Sequence, residues 1–440
     1  MPAKLLIFPL VFILNFWTLY IARPTCIEGQ FRLYYMSSRQ IPEEVISLLL
    51  TEKQKALQLS IRKNVQKMLV PRADDIDRSN KFPLDIVKAF IKEGYMKTLA
   101  PKEYGGLEWS TLEFNLLVEE ISKASGSMGM IWCTSAQACV MEKKFGTEAQ
   151  KKKYITWLVN GAIANFASSS EPHGGTDMGG IKTTAVLKGD YYILNGDKYY
   201  LEPATHADFF HVFAKTEPEK RSRGISCFIV ERNFPGVSIG KEAEPVGLRG
   251  AGLAELLLRD AKIPAENLLG PLNSGVRIAR GGLDQAGAVA GIPLGLSQSA
   301  LDMALDYSVS RIAFDKPIAS FQSLNFTLVD MAIKVEAARS MAYRAAAIAD
   351  SGQADTKFFE MSSTFANMVS YEVVDRAIEI FGGHAILDMW HPMTRVWRDA
   401  HSNYGAGGTT NLRRMVISRA LFGDLSPAHP LSPFSVAIRS

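Results

Sequence analysis

The hydrophobic period of this chain changes twice, and that change limits its architecture more than any other feature. Apolar residues recur every three or four positions in Ile46-Leu49-Leu50, in Leu84-Val87-Phe90-Ile91 and in Phe114-Leu117-Val118-Ile121. That spacing puts them on one face of a helix, so residues from Glu43 to about Asn160 are expected to be helical. Between about Ala162 and Leu269 the period shortens. Tyr191 to Tyr200 reads as two strands joined by Asn195-Gly196, a pair that tolerates the positive φ of a tight hairpin. Val212-Phe213-Ala214 and Ile225 to Val230 are further β-rich runs, and Gly247 to Gly252 and Pro264 punctuate the strands.

From Ser274 onward the helical period returns. The runs cover about Arg277 to Arg311, Phe321 to Ala349, Thr356 to Phe381 and Thr409 to Phe422, and four helices of this length joined by short breaks read as a bundle. The expected class is therefore α+β. The expected domains are a helical one at 36–160, a β-domain at 161–272 and a helical bundle at 273–425, followed by a Pro- and Ser-rich tail at 426–440.

Composition supports a folded chain and narrows its partners. With 47% hydrophobic and 21% charged residues, the sequence is globular rather than disordered. A net charge of +4 without a basic stripe gives no footprint for nucleic acid. Lys151-Lys152-Lys153 reads as a solvated helix face; its other reading is a patch for an anionic ligand. Cys26, Cys133, Cys139 and Cys227 form no CxxC pair or Cys/His cluster, so no metal site is expected. Scattered cysteines suit a reducing compartment, and a cytoplasmic location is expected. Leu5 to Ala22 is almost wholly apolar. Residues 1–35 read either as a targeting or anchoring segment or as an extension upstream of the true start at Met36.

Several motifs in order carry a family resemblance. They are Ser169-Ser-Glu-Pro-His-Gly-Gly-Thr-Asp177, Gly247-Leu-Arg249, Pro264-Ala-Glu-Asn267 and Arg311 through Gln322. Further on come Phe381-Gly-Gly383, Arg398-Asp-Ala400 and Ala406-Gly-Gly-Thr-Thr-Asn411, with the run to Arg419 continuing the match. Over some 370 residues from about Glu43, this resembles the acyl-CoA dehydrogenase family. The resemblance implies the acyl-CoA dehydrogenase fold: an N-terminal helical domain, a middle β-domain and a C-terminal four-helix bundle, with FAD between sheet and bundle. It implies a homo-oligomer, a dimer of dimers, acting on an acyl-CoA, with an electron-transfer flavoprotein as candidate acceptor. Ser170, Thr176, Tyr200, Thr409 and Asn411 would line the cofactor, and small residues such as Gly408 would let the chain approach it. Arg311, Gln322, Gly382 and Gly383 would complete the cofactor site of a neighbouring subunit.

The resemblance also exposes departures. The family's chemistry needs a carboxylate to remove the proton alpha to the thioester. One family position for it is Gly407 here, and the other, on the first bundle helix, is Gln285. Neither is a base at ordinary pH. Asp284 is adjacent to Gln285 but points about 100° away on a helix. At the flavin, the family's Thr near N5 is replaced by Glu202, which would oppose anionic reduced flavin if ionised and donate to N5 if protonated. His173 replaces a loop glycine and reads as an acid/base group, a ligand or an exposed residue.

The first functional expectation is an FAD-dependent oxidoreductase on a CoA thioester that lacks the usual base. The second is a reaction without alpha-proton abstraction. The pair Ala406-Gly-Gly-Thr409 and Gln285 also resembles the family's 3-sulfinopropionyl-CoA desulfinases, although Met130 stands where those enzymes carry an arginine. The third is a degenerate flavoprotein with a binding role.

Overall fold

Capping chemistry sets where the helices begin. In the computed structural model, which describes residues 50–284, 290–353, 355–405 and 407–423, the chain divides into two compact units at residue 57. In the first unit, the Thr51 hydroxyl accepts from the Gln54 N–H at 3.3 Å, at the start of helix α1 (Glu52–Met68). All that follows concerns residues 58–440.

The N-terminal helices continue with α2 (Ala73–Ser79), α3 (Leu84–Lys92), α4 (Thr111–Ala124) and α5 (Gly126–Phe145). Ser110 and Glu113 form a capping box on α4, satisfying two N–H groups that the helix would otherwise leave open. Ser125 caps α5 through the Met128 N–H. Nearly every residue of α4 is buried, because its other faces pack on later helices.

The sheet is built from β1 (Ala164–Ala167), β2 (Thr184–Lys188), β3 (Tyr191–Leu201), β4 (Phe209–Lys215), β5 (Ile225–Glu231), β6 (Val237–Glu242), β7 (Ala254–Pro264) and β8 (Leu268–Leu269). Their order is β6-β7-β3-β2-β4-β5-β8, with β1 added parallel to β4. Residues that alternate along β3, β4, β5 and β7 fill one apolar core, including Leu194, Phe210, Val212, Phe228, Leu256 and Leu258.

The hairpin expected at Asn195-Gly196 is not there. Tyr191–Leu201 is one strand, and the turn lies before it, at Gly189-Asp190 between β2 and β3. Asn195-Gly196 marks a register shift against β7. Gly196 has φ of 151°, and a Cβ there would overlap Thr183, so the glycine serves close approach within a bulged strand rather than a turn.

The C-terminal helices are α6 (Gly275–Asp284), α7 (Gly291–Ser310), α8 (Gln322–Asp350), α9 (Thr356–Phe381), α10 (Pro392–Asn403) and α11 (Thr410–Phe422). Helices α7, α8, α9 and α11 form the expected bundle, and α4 packs onto α7 and α8. Of the expected run from Arg277 to Arg311, the described residues form α6 and α7, with 285–289 outside them, and α10 was not anticipated. A buried network ties bundle to N-terminal helices: Arg339 on α8 pairs with Glu119 on α4 at 3.0 Å, Tyr343 donates to the same carboxylate at 3.0 Å, and Arg339 also donates to Gln298 on α7 at 2.6 Å. Among the described residues, no helix is long and apolar enough to cross a membrane. The apolar segment at 1–35 and the tail at 426–440 lie outside the described residues.

Candidate active site

One cavity of about 390 Å³ opens where α5, the sheet and the bundle meet. From α5 come Met130, Cys133, Thr134 and Gln137, a spacing of three and four that places them on one face. The sheet side supplies Phe166, the hydroxyl-rich loop Ser168–Ser170 with Thr176, and Tyr200–Glu202 at the end of β3. The bundle side supplies Arg280 on α6, Glu360 on α9, and Gly405, Gly407, Gly408 and Thr409 ahead of α11.

The hydroxyl-rich loop is held by a buried ion pair. Lys198 on β3 is fully buried; its ammonium donates to Glu171 Oε1 at 2.7 Å and to the Ser168 carbonyl at 2.6 Å. Thr183 donates its hydroxyl to the same Glu171 oxygen at 2.6 Å. Burial pushes the Lys198 ammonium down to about 8 against the attraction of Glu171. Burial acts to raise the Glu171 carboxyl, but the Lys198 charge and the donors around it hold it below its ordinary range. The Tyr199 N–H donates to the Ser170 carbonyl at 2.7 Å, and Ser169 closes the loop onto Gly175 at 2.8 Å.

The opposite wall is clamped by Arg413 on α11, which donates to Glu360 at 2.9 Å and to the Gly408 carbonyl at 3.3 Å. Thr409 caps α11 by accepting from the Leu412 N–H at 3.3 Å. Gly407 and Gly408 have φ of 68° and 113°, backbone that glycine adopts without strain.

Beneath Glu202 two of the sequence motifs meet. Gly247 packs on α10 so closely that a Cβ would overlap the Arg398 carbonyl. Asp399 then accepts from the Leu248 N–H at 2.7 Å and from the Gly126 N–H at 3.2 Å. Burial pushes the Asp399 carboxyl up to about 6, against the opposing pull of Arg395. Burial, reinforced by Asp399, pushes the half-buried Glu202 carboxyl up to about 8.

Of the expected site residues, Ser170, Thr176, Tyr200, Glu202, Gly407 and Thr409 line this one cavity. Arg311, Gln322, Gly382, Gly383 and Asn411 do not line it. Arg311 and Gln322 are exposed beside a two-residue turn at Phe314-Asp315, whose Phe314 is 87% exposed with φ of 50°. Gly382 ends α9 with φ of 58°, and Asn411 accepts from Arg414 at 3.0 Å. His173 is exposed and outside the lining. Gln285 lies outside the described residues; Asp284 ends α6, and its side chain lies outside them too. Sequence reasoning missed Glu360, Arg280 and the α5 face. It also missed the Lys198–Glu171 pair, although Lys198 at an inward strand position was a visible signal.

Known proteins carry the same combination. Three family models match in succession: the acyl-CoA dehydrogenase N-terminal domain at residues 51–162, the middle domain at 166–261 and the C-terminal domain at 273–422. Isovaleryl-CoA dehydrogenase of Pongo abelii is 37% identical over 383 residues, covering 85% of this chain and 90% of that protein. The structure of butyryl-CoA dehydrogenase from Megasphaera elsdenii superposes with a TM-score of 0.82 at 33% identity, covering 84% of this chain and 98% of that one. PigA, solved with FAD and proline, gives 0.80 at 28% identity, covering 84% and 98%. These matches place the chain among the flavoprotein oxidoreductases. More particularly, it belongs to the acyl-CoA dehydrogenase family, and its cofactor is FAD, as in the solved PigA complexes.

Proposed function

We propose that this chain is an FAD-dependent oxidoreductase acting on an acyl-CoA thioester, with its reactive centre in the cavity between the Ser168–Ser170 loop and the Gly407–Thr409 turn. The observation that carries this reading is the convergence of hydroxyls, an aromatic side chain and flexible glycines on a single 390 Å³ space, a size within the range of small-molecule sites. FAD is the cofactor, and when bound it supplies the hydride acceptor. The donor set fits its ring: Ser170, Thr176 and Thr409 offer hydroxyls, Tyr200 offers a face for stacking, and Gly407 and Gly408 let the backbone close in without a side chain. The hydroxyls orient the ring, and the apolar wall of Met130, Ile292 and Val416 excludes water from the thioester end.

The usual proton-abstracting carboxylate is missing from this reading. Gly407 has no side chain to offer, and Gln285 is neutral. Glu360 lines the cavity in an ion pair with Arg413. Dehydrogenation of straight-chain acyl-CoAs is therefore expected to be slow by about 10²–10⁴, and Gln285→Glu should accelerate it. The experiment is anaerobic mixing of the FAD-loaded protein with a panel of acyl-CoAs. Flavin bleaching supports the oxidoreductase. Product release without bleaching indicates a desulfinase-like reaction, and neither outcome indicates a binding role.

Arg311, Gln322 and the Gly382-Gly383 turn serve the cofactor of a neighbouring subunit in a homo-oligomer, a dimer of dimers. The exposed apolar groups Phe314 and Leu387 on the same elements suit such an interface. An electron-transfer flavoprotein is the proposed acceptor.

A further inference from the structure

Glu202 is the one ionisable residue at the end of β3 that faces the cavity with a carboxyl. Leu201 before it and Pro203 after it are both buried, so the peptide is anchored on either side and the side chain emerges into the cavity wall beside Tyr200. No hydrogen bond to the Glu202 carboxyl exists among the described residues, in contrast to Glu171, which collects four donors. The charged and titratable groups around it come from five elements. On α10, Asp399 lies close and has both oxygens committed to backbone N–H groups. Arg280 on α6, Glu360 on α9 with its partner Arg413 on α11, and Cys133 on α5 share the cavity. Asp399 is the charged group that acts on Glu202, and it repels a second negative charge.

An ionised Glu202 would therefore be a half-buried anion with no donor among the described residues, repelled by the nearby Asp399. A neutral acid in the same place is a hydrogen-bond donor aimed into the cavity. We infer that Glu202 enters the cofactor cavity as an un-ionised carboxylic acid and donates its proton, as a hydrogen bond, to an acceptor atom on the edge of the flavin ring. Glu202 is thus a cofactor-binding residue that makes FAD retention depend on pH. This rests on the proposed function, because it takes the flavin as the occupant of the cavity. No bond is broken and no electron moves in the step; the proton stays on the carboxyl while it is shared.

The direction of the pH effect follows. The carboxyl is raised to about 8 in the folded protein, so the donor is present below that pH and lost above it. If only the protonated form binds well, the apparent dissociation constant of FAD rises about tenfold for each pH unit beyond about 8, in proportion to the vanishing competent fraction. The test uses the FAD-loaded full chain without substrate, which separates the flavin from a thioester as acceptor. Two quantities are read between pH 6 and 10: the visible spectrum of bound FAD, and the FAD released on ultrafiltration. Wild type should hold FAD up to about pH 8 and release it progressively above, with one midpoint of release at or beyond that pH. Glu202→Gln keeps a neutral donor and should retain FAD with no midpoint; Glu202→Leu, checked for folding by circular dichroism, should hold FAD more weakly at every pH. A flat wild-type titration, or the same midpoint in Glu202→Gln, overturns the inference and leaves the proposed function standing. A folded wild type that takes up no FAD at any pH removes the proposed function as well.

Discussion

Replacing Lys198 by methionine tests how the cavity is held in shape. Lys198 is fully buried and the Glu171 side chain is 4% exposed, with 2.7 Å between them. Methionine matches the length and removes the charge, which leaves a buried carboxylate without its cation. Breaking one partner of a buried pair costs about 3–5 kcal/mol. At about 1–2 °C per kcal/mol for a chain of this size, the apparent Tm should fall by about 3–10 °C. Lys198 also holds the Ser168 carbonyl, so the loop that lines the cavity should loosen and the purified protein should carry less FAD. The assay is thermal unfolding by circular dichroism with flavin content measured in parallel. The double variant Lys198→Met/Glu171→Gln removes the stranded charge while an amide oxygen can still accept from Thr183, and it should recover at least half of the lost Tm. A single variant as stable as wild type, or a double variant no better than the single, would refute the reasoning.

Two further outcomes are expected. Gly247→Ala places a methyl against the Arg398 carbonyl, and overpacking of this kind costs about 1–3 kcal/mol; a lowered melting temperature checks it, and because Leu248 carries the N–H that Asp399 accepts, flavin content should fall with it. Arg311→Ala leaves an exposed position in the folded chain, so circular dichroism should be unchanged while FAD occupancy drops; full occupancy in a monodisperse monomer would refute the shared cofactor site.

The order of helices, strands and bundle was legible because hydrophobic period survives in the sequence wherever one face of an element is buried. Asn195-Gly196 misled because glycine signals both a turn and a close approach, and only the pairing of β3 with β7 and the nearness of Thr183 distinguish them. The cavity was half legible. Ser170, Thr176, Tyr200, Glu202, Gly407 and Thr409 stood out as breaks from local pattern or as parts of motifs. The α5 face did not, because Met130, Cys133, Thr134 and Gln137 have the spacing of any buried helix, and only tertiary packing turns that face into a wall. Glu360 was hidden for the same reason: its role depends on Arg413, more than fifty positions later and one helix away. Asp399 was visible only as part of a motif. Its two backbone partners, at Gly126 and Leu248, come from different domains and leave no trace in local sequence.

The most direct measurement of the central claim is an experimental structure of the FAD-loaded protein. The account predicts the isoalloxazine ring in the cavity between Ser168–Ser170 and Gly407–Thr409, with Tyr200 against its face and the Glu202 carboxyl within hydrogen-bond distance of its edge. A ring bound elsewhere, or a cavity filled by this chain's own side chains when FAD is present, would contradict it.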